Sequence, residues 1–318
     1  MPTLPANLIS LLQSARVLVV GDTMLDRYWF GEVERISPEA PVPVAKIGRM
    51  DQRAGGAGNV ARNIAALGGQ AGLLSIVGED EAANELEKIV QSSGVQTFLE
   101  HDETIATTVK LRVVARNQQL IRLDFEEHPN REVLEQIKQK YREILPEYDA
   151  IIFSDYGKGG LSHISDMIDW AKHAGKTVLI DPKGDDYEKY AGATLITPNR
   201  AELKEVVGSW KNESELTEKA QNLRRHLDLT AVLLTRSEEG MTLFSEGEPI
   251  YQPTRAQEVY DVSGAGDTVI AGVGLGLAAG YTMPEAMHLA NTAAGVVVAK
   301  LGTAVCSFAE LNKALEEQ

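Results

Sequence analysis

The chain has 318 residues, enough for one large α/β domain or two smaller ones, and its 43% hydrophobic and 24% charged residues are ordinary for a globular protein. A net charge of −15 argues against nucleic acid or an anionic membrane as partner, because phosphate groups would be repelled. The single cysteine, Cys306, excludes an intramolecular disulfide framework and fits a reducing cytoplasm, where we expect the protein to reside.

The predicted elements of the first part of the chain are buried strands, a helix and a small β excursion. RVLVV (16–20) and AGLLSIVG (71–78) are short apolar runs typical of buried strands, and AGNVARNIAAL (57–67) has helical periodicity. Polar and apolar residues alternate over 105–125, which predicts a β-hairpin. Proline-broken β segments in 28–48 join this hairpin in the predicted excursion.

From residue 130 onward, apolar runs alternate with helical stretches. This order predicts a mostly parallel sheet with helices on both faces. We therefore expect a single α/β domain over 1–318 that carries the small β excursion. The predicted strands of this part are DAIIFSD, KTVLID, ATLITP and AVLLTR.

The stretch DVSGAGDTVIAGV (261–273) predicts an anion site beside a carboxylate. Gly264 and Gly266 allow the backbone N–H groups of the turn to approach a ligand closely, and a helix N-terminus favours an anion. Asp267 follows at the first turn of an apolar helix, where it would also serve as a cap. A general base next to an anion hole is what phosphoryl transfer to an alcohol requires.

A second glycine cluster, GGAGNVARN (55–63), permits two interpretations. Gly56, Gly58 and Ala61 satisfy a dinucleotide-binding spacing, which would indicate a nicotinamide-dependent oxidoreductase. The fingerprint should follow the first buried strand directly, however, and the residues before it are polar and charged. Asn59 in the same turn is better explained as a hydrogen-bonding group that faces a polar ligand.

A third motif, TPNRAELKEV (197–206), is first of all a helix start. Asn199 and Glu202 form a capping-box pattern behind Pro198. The same pair lies at the carboxyl end of a predicted parallel strand, where open α/β sheets bind ligands. Glu202 in that place would hold Mg²⁺ through water.

Taken together, these motifs resemble the ribokinase family of sugar kinases, also called the PfkB family. The likeness covers the whole chain, with the cluster at Gly55, Gly56 and Asn59 as the first signature and DVSGAGDTVIAG as the second. It implies a three-layer α/β/α sandwich with a β lid from about 28–48 and 105–125, ATP as phosphoryl donor, Mg²⁺, and in many members K⁺. It also implies that Asp267 is the catalytic base.

The resemblance assigns further residues to the site. The N–H groups of Gly264, Ala265, Gly266 and Asp267 would form the anion hole. Asp26 would bind sugar hydroxyls, with Asp22 as a second substrate-side acid, and Asp261 is a candidate for a monovalent-cation loop. Nucleotide-binding candidates are Lys183, Asn199, Arg200, Ala201, Glu202, Thr235, Gly240 and Asn291.

A narrower likeness is to the heptose 7-phosphate kinases of ADP-heptose biosynthesis, carried by GDTMLDRYWFGEVERISPEAPVPV, SDYGKGGL and DPKGDD. It implies phosphorylation of D-glycero-β-D-manno-heptose 7-phosphate at O1, toward ADP-heptose for the lipopolysaccharide core. A PfkB-family kinase for another sugar is the alternative. We expect a kinase without a fused nucleotidyltransferase, a separate nucleotidyltransferase acting downstream, and a homodimer formed through the lids.

The hairpin carries a cluster of cations that fits a phosphorylated substrate. Across 110–122 the chain carries Lys110, Arg112, Arg116 and Arg122 with no acid, although the protein is acidic overall. Lys110 and Arg112 share one face of a predicted strand, so both can reach a single phosphate. Lys158 is a weaker candidate for the same role. The residues alone fit a solvated lid edge equally well, and the resemblance favours phosphate binding.

Overall fold

A computed structural model describes residues 8–116, 118–255, 259–300 and 302–317. The strands are β1 (Arg16–Gly21), β2 (Thr23–Ile36), β3 (Pro43–Gly56), β4 (Gln70–Gly78), β5 (Gln96–Asp102), β6 (Val109–Ala115), β7 (Gln118–Phe125), β8 (Ala150–Ser154), β9 (Thr177–Asp181), β10 (Leu195–Ile196), β11 (Ala231–Thr235), β12 (Met241–Phe244) and β13 (Ile250–Gln252). The helices are α1 (Leu8–Ser14), α2 (Ala57–Ala66), α3 (Glu81–Gln91), α4 (Arg131–Ile144), α5 (Ile164–His173), α6 (Arg200–Val207), α7 (Glu213–His226), α8 (Ala265–Ala278), α9 (Met283–Val297) and α10 (Phe308–Glu316).

The large sheet has nine strands in the order β13-β12-β11-β10-β9-β8-β1-β4-β5. The seven strands from β11 to β5 are parallel, and β12 and β13 continue the sheet antiparallel. One apolar cluster packs α2, α8 and α9 on one face, and a second packs α4, α5 and α7 on the other. The predicted three-layer α/β/α arrangement with a mostly parallel sheet is confirmed.

Two parts of this sheet were not expected from the sequence. QTFLEHD forms β5 at the parallel edge, although its polar composition gives no apolar run. The β12–β13 hairpin departs from the expected alternation of strand and helix. Edge strands need only one buried face, so their patterns are weaker than those of central strands such as β1.

The second sheet is the lid, which we define as β2, β3, β6 and β7 in the order β3-β2-β6-β7. Its long strands extend beyond the predicted 28–48, because β2 begins at Thr23 and β3 ends at Gly56. Only Asp22 separates β1 from β2, and β3 runs directly into α2. The lid is therefore joined to the large sheet at the carboxyl end of a central parallel strand.

Glycine is required at this junction. Gly56 has φ of +58°, and a Cβ there would lie 2.4 Å from the carbonyl oxygen of Asp22.

Among the described residues, no helix is both long and apolar enough to cross a bilayer.

Candidate active site

The glycine turn at 264–267 forms the start of α8, as the sequence predicts. Gly264 adopts a left-handed conformation with φ of +77°, and a Cβ there would lie 2.9 Å from Asn59 Nδ2. At Gly266 an added Cβ would meet nothing, so this side of the turn is open. Gly274 packs α8 on the sheet, since its Cβ would lie 2.6 Å from Ile152 Cδ1.

Asp267 is only 5% exposed and is held at both carboxylate oxygens. Asn59 Nδ2 donates to Oδ2 at 2.6 Å, and the Tyr156 hydroxyl donates to Oδ1 at 2.7 Å. Burial raises the pKa of Asp267, and the two hydrogen bonds oppose that rise. A buried, oriented carboxylate with a raised pKa is suited to accept a proton.

Asn59 is fixed by contacts between α2 and α8. It is fully buried, and Asn63 one turn later donates to its backbone oxygen at 2.9 Å. Thr268 Oγ1 donates in turn to Asn63 Oδ1 at 3.0 Å. This polar chain between two packed helices sets the orientation of the Asn59 amide toward Asp267.

A cavity of about 190 Å³ opens beside Asp267. Its walls come from the segments after β8, β9 and β10 and from the first turns of α6 and α8, at the carboxyl ends of parallel strands. Burial, followed by the charges of Asp267 and Glu202, raises the pKa of Asp181 in its wall. The lining residues are Asp155, Tyr156, Asp181, Pro182, Lys183, Thr197, Asn199, Glu202, Gly264, Gly266 and Asp267.

Glu202 is both a cap and a wall of this cavity. One carboxylate oxygen accepts from the backbone N–H of Asn199 at 3.0 Å, which completes the capping box. The other lies 3.6 Å from Lys183 Nζ. Asn199 Oδ1 accepts in return from the N–H groups of Ala201 and Glu202.

Metal binding through direct protein ligands has no ready-made site. Within the described ranges, no group of three or more His, Cys, Asp or Glu side chains is arranged to hold a metal ion. Asp181 and Glu202 share the cavity wall, and their carboxylates are ligand types that suit a hydrated divalent ion.

Several charged residues of the lid lie on the face turned toward Tyr156. Lys110 pairs in register with Asp26 and Asp124, and Arg112 with Arg122, so these side chains share one face. Lys110 Nζ lies 5.6 Å from the centre of the Tyr156 ring. Burial lowers the pKa of Lys110, partly opposed by Asp26.

Three of the cations proposed to bind phosphate form ion pairs with acidic side chains, which the sequence did not predict. Arg112 Nη1 donates to Asp26 Oδ1 at 2.6 Å, and Arg122 pairs with Asp124 at 2.9 and 3.0 Å. Lys158 forms an ion pair with Glu126. Strand pairing brings Asp26 beside Arg112, 86 residues away in the chain, whereas Asp124 follows two residues after Arg122, just beyond the segment 110–122. Lys110 has no salt bridge within the described part of the chain.

Asp22 and Gly55 support the site from beneath. The Asp22 carboxylate accepts backbone hydrogen bonds from Tyr156, Lys158 and Gly160 at 3.0, 2.9 and 3.2 Å. These bonds fix the loop after β8, and they favour a positioning role over the substrate contact that the sequence predicts. A Cβ on Gly55 would lie 2.6 Å from Asp26 Oδ2, so glycine here makes room for that carboxylate.

The remaining nucleotide candidates lie outside the 190 Å³ cavity lining. Arg200 is bonded to Glu239 at 2.8 and 2.6 Å, and Thr235 bridges to Asn199 at the end of β11. Gly240 turns the chain into β12 with φ of +97°. Asn291 donates to the oxygen of Pro253 at 2.8 Å. It lines a second cavity of about 360 Å³ with Ile250, Tyr251, Gln252, Pro253, Arg255 and His288.

Asp261 ties two loops together next to the glycine turn. Its carboxylate accepts from the N–H groups of Ser263 at 2.9 Å and Gly302 at 2.8 Å. Although burial opposes it, these bonds lower the pKa of Asp261. A cation role for this residue stays a prediction.

Several residues that line the cavity were not predicted from the sequence, among them Tyr156 and Asp181. Tyr156 stands within the DYGKGG segment, where Lys158 drew attention instead, and Asp181 ends the predicted strand KTVLID. Each follows a buried parallel strand, and the rule that ligands bind at the carboxyl ends of such strands was the available signal. Which of several polar residues after a strand faces the site depends on tertiary packing.

The fold and the site define a phosphoryl-transfer enzyme that acts on a carbohydrate. The family model described as pfkB family carbohydrate kinase matches residues 14–309, so the chain belongs to that family of sugar kinases.

Two curated relatives are similar to this chain over more than nine tenths of its length. The chain is 54% identical over 297 residues to the D-beta-D-heptose 7-phosphate kinase of Bordetella bronchiseptica, covering 93% of this chain and 95% of that one. It is also 54% identical over 308 residues to the bifunctional protein HldE of Chromohalobacter salexigens, with 96% of this chain covered. The chain spans 65% of that bifunctional relative's length.

Solved structures show the same fold at low sequence identity. Arabidopsis thaliana ribokinase complexed with ribose and ATP has a TM-score of 0.78 at 20% identity, covering 95% of this chain and 99% of that one. Escherichia coli phosphofructokinase-2 in complex with substrates and products has a TM-score of 0.79 at 20% identity, with 96% and 99% covered.

These findings exclude the dinucleotide interpretation of the second glycine cluster. Gly56 and Gly58 do open a helix, α2, but the preceding strand is β3 of the lid and not β1 of the parallel sheet. The fingerprint spacing is therefore coincidental, and the glycines serve the close contacts at the base of the lid.

Proposed function

We propose that this protein transfers the γ-phosphoryl group of ATP to O1 of D-glycero-β-D-manno-heptose 7-phosphate, giving the 1,7-bisphosphate on the route to ADP-heptose for lipopolysaccharide. The chemistry rests on one observation, the buried Asp267 held by two donors at the start of α8. The choice of sugar rests on the name and 54% identity of the Bordetella bronchiseptica relative.

In this reaction Asp267 accepts the proton of the O1 hydroxyl while O1 attacks the γ-phosphorus. The bond from that phosphorus to the bridging oxygen breaks, and ADP leaves. The N–H groups at the start of α8 point toward the charge that develops on the transferring group, where the helix dipole adds to their effect. Gly264 makes this geometry accessible through its positive φ.

ATP and Mg²⁺ fit the walls of the 190 Å³ cavity. Lys183 supplies a cation, and Asp181 and Glu202 supply carboxylates that suit a hydrated divalent ion. When bound, Mg²⁺ supplies neutralisation of phosphate charge. The more apolar cavity at Pro253 and Asn291 is our proposed place for the base of the nucleotide.

The lid is the proposed reader of the sugar phosphate. Asp26 accepts from sugar hydroxyls, and Lys110 with Arg112 binds the phosphate that the substrate already carries. Lys110 is placed for this because it has no salt bridge in the described part of the chain and faces Tyr156 above the base. Arg112 reaches the phosphate at the cost of sharing its guanidinium with Asp26.

The test is a panel of sugars and sugar phosphates assayed for ADP release with Mg·ATP. We expect heptose 7-phosphate to give the highest kcat/KM, and unphosphorylated heptose to be poorer by about 10-fold or more. A fructose or ribose derivative that outperforms it would overturn the sugar assignment and leave a pfkB-family kinase of another specificity. No ADP release with any sugar would overturn the chemistry.

Further proposals concern the homodimer, K⁺, a partner enzyme and the location of the protein. Strand β7 is exposed along its whole length, and Ile121, Leu123 and Phe125 are 51%, 40% and 51% exposed. A second copy pairing lid to lid would cover them, and light scattering that finds only monomer would contradict this.

The loops that Asp261 joins are the proposed binding place for K⁺, which would stimulate activity. A crystal structure of the similarly folded Escherichia coli phosphofructokinase-2 contains potassium. A separate nucleotidyltransferase would consume the product after removal of a phosphate, in the cytoplasm.

A further inference from the structure

We propose that Tyr156 is a positioning residue for Asp267: its hydroxyl fixes the rotation of that carboxylate so that a free lone pair faces the acceptor hydroxyl. This inference rests on the proposed function of Asp267 as the base. It adds a residue that the sequence pattern did not indicate.

The geometry is a two-sided clamp. Tyr156 donates to Oδ1 at 2.7 Å and Asn59 donates to Oδ2 at 2.6 Å, so rotation of the carboxylate breaks both bonds. An ionised carboxylate offers about four lone-pair sites, and two stay free for an incoming hydroxyl proton. Without the tyrosine, one donor alone allows the group to turn about its bond to Cβ.

Tyr156 is itself fixed from three directions. Its backbone N–H donates to Asp22 at 3.0 Å, and Lys110 of the lid lies over the ring. A Cβ on Gly56 would lie 3.4 Å from a ring carbon, so glycine there lets the ring pack against the base of the lid. The tyrosine is therefore held by Asp22 at the β1–β2 junction and by the lid together.

Several charged groups surround Asp267, and they set the expected pH dependence. Asp26 on β2 and Asp181 at the end of β9 disfavour its ionisation, whereas Lys110 on β6 favours it. Burial raises the pKa of Asp267, and the bonds from Asn59 and Tyr156 lower it. Loss of the Tyr156 hydroxyl therefore raises this pKa, and the base ionises only at higher pH.

The experiment compares pH profiles of kcat for wild type, Tyr156→Phe and a matched control, Tyr141→Phe. Tyr141 is also buried and donates one hydrogen bond, at 3.1 Å to the Met167 oxygen, on the opposite face of the sheet. For Tyr156→Phe we expect the acid limb to move to higher pH and the plateau to fall about 10- to 100-fold, since misplacing a catalytic group costs that much. For Tyr141→Phe we expect the wild-type profile.

Incorporation of 3-fluorotyrosine at position 156 tests the same bond with the opposite sign. Its phenol is more acidic and a stronger donor, so the acid limb should move to lower pH. An even loss of kcat at all pH values in Tyr156→Phe, or an unmoved limb with fluorotyrosine, would overturn the positioning role. Asp267→Asn separates the two hypotheses: if it stays active the base assignment fails, and if it is inactive while Tyr156→Phe matches Tyr141→Phe only the present inference fails.

Discussion

The site is assembled from two regions that treat charge in opposite ways. At the start of α8, Asp267 and Asn59 are 5% and 0% exposed, and their side chains are held by each other, by Asn63 of α2 and by Tyr156 of the loop after β8. In the lid, Arg112 and Arg122 are held in ion pairs with Asp26 and Asp124, and strand β7 is exposed throughout. Under the proposed function, the difference means that the chemistry depends on a buried, oriented carboxylate, whereas substrate choice depends on charges that can change partner.

The largest expected effect comes from breaking the buried region at its centre. Asp267→Asn keeps the shape and removes the proton acceptor, so kcat should fall by on the order of 10²–10⁴-fold with little change in ATP affinity. Because burial raises the pKa of Asp267, the charged form is costly near neutral pH, and the variant should unfold at a temperature no lower than wild type. Retention of more than about a tenth of wild-type kcat would exclude the base role.

The next effect tests the lid. Lys110→Ala removes a cation that lies beside Tyr156 and has no salt bridge in the described structure. A charge-assisted bond to phosphate is worth about 10- to 150-fold in kcat/KM, so a loss of that size is expected with heptose 7-phosphate. Unphosphorylated heptose is the control substrate, for which the change should be nearly silent at high pH. High pH matters because Lys110 also lowers the pKa of Asp267.

Arg112→Ala tests the same phosphate-binding hypothesis, but we expect it to separate the two substrates less completely than Lys110→Ala does. It should be severe with heptose 7-phosphate, but it also frees Asp26, its 2.6 Å partner. Some loss is therefore expected with unphosphorylated heptose as well. If Lys110→Ala also damages both substrates equally, the lid cations hold the lid together and do not read the phosphate.

A smaller effect concerns Glu202, which belongs to both a helix cap and the cavity. Glu202→Gln keeps the capping box, because glutamine serves at that position too. If Glu202 helps to hold Mg²⁺, the variant should need a several-fold higher Mg²⁺ concentration for half-maximal activity, with a nearly unchanged melting temperature. Loss of a group that supports a metal ion costs about 10- to 100-fold in metal affinity, which sets the upper bound of the effect. Superimposable Mg²⁺ titrations of the two proteins would leave Glu202 with the cap alone.

The smallest effect is expected at the outer lid. The side chains of Arg122 and Asp124 are 50% and 29% exposed, so this pair contributes little to folding. Arg122→Ala should change the free energy of unfolding by less than about 1 kcal/mol, measured by urea denaturation. Its kcat/KM with heptose 7-phosphate should stay closer to wild type than that of Lys110→Ala. An equal loss in both would mean that the phosphate is read by the whole charged face.

Much of the site could be predicted because its signals are local. The glycine turn, its aspartate and the Asn199–Glu202 cap each occupy a few consecutive residues whose backbone needs are visible in the sequence. The ion pair of Arg112 in the lid could not be predicted from such local signals. Arg112 was predicted to be free of acids within 110–122, and its acid is Asp26, 86 residues away.

The sequence by itself determined the alternation of buried strands and helices from residue 130 onward, the helix start at the glycine turn and the family, since backbone periodicity and glycine conformations are set by neighbouring residues. Only the tertiary structure decided that Asn59 and Tyr156, 208 and 111 residues from Asp267, clamp its two oxygens. It also decided which lid cations are paired, because strand register places distant residues side by side. Orientation of a buried carboxylate depends on groups that the chain brings together only when it folds.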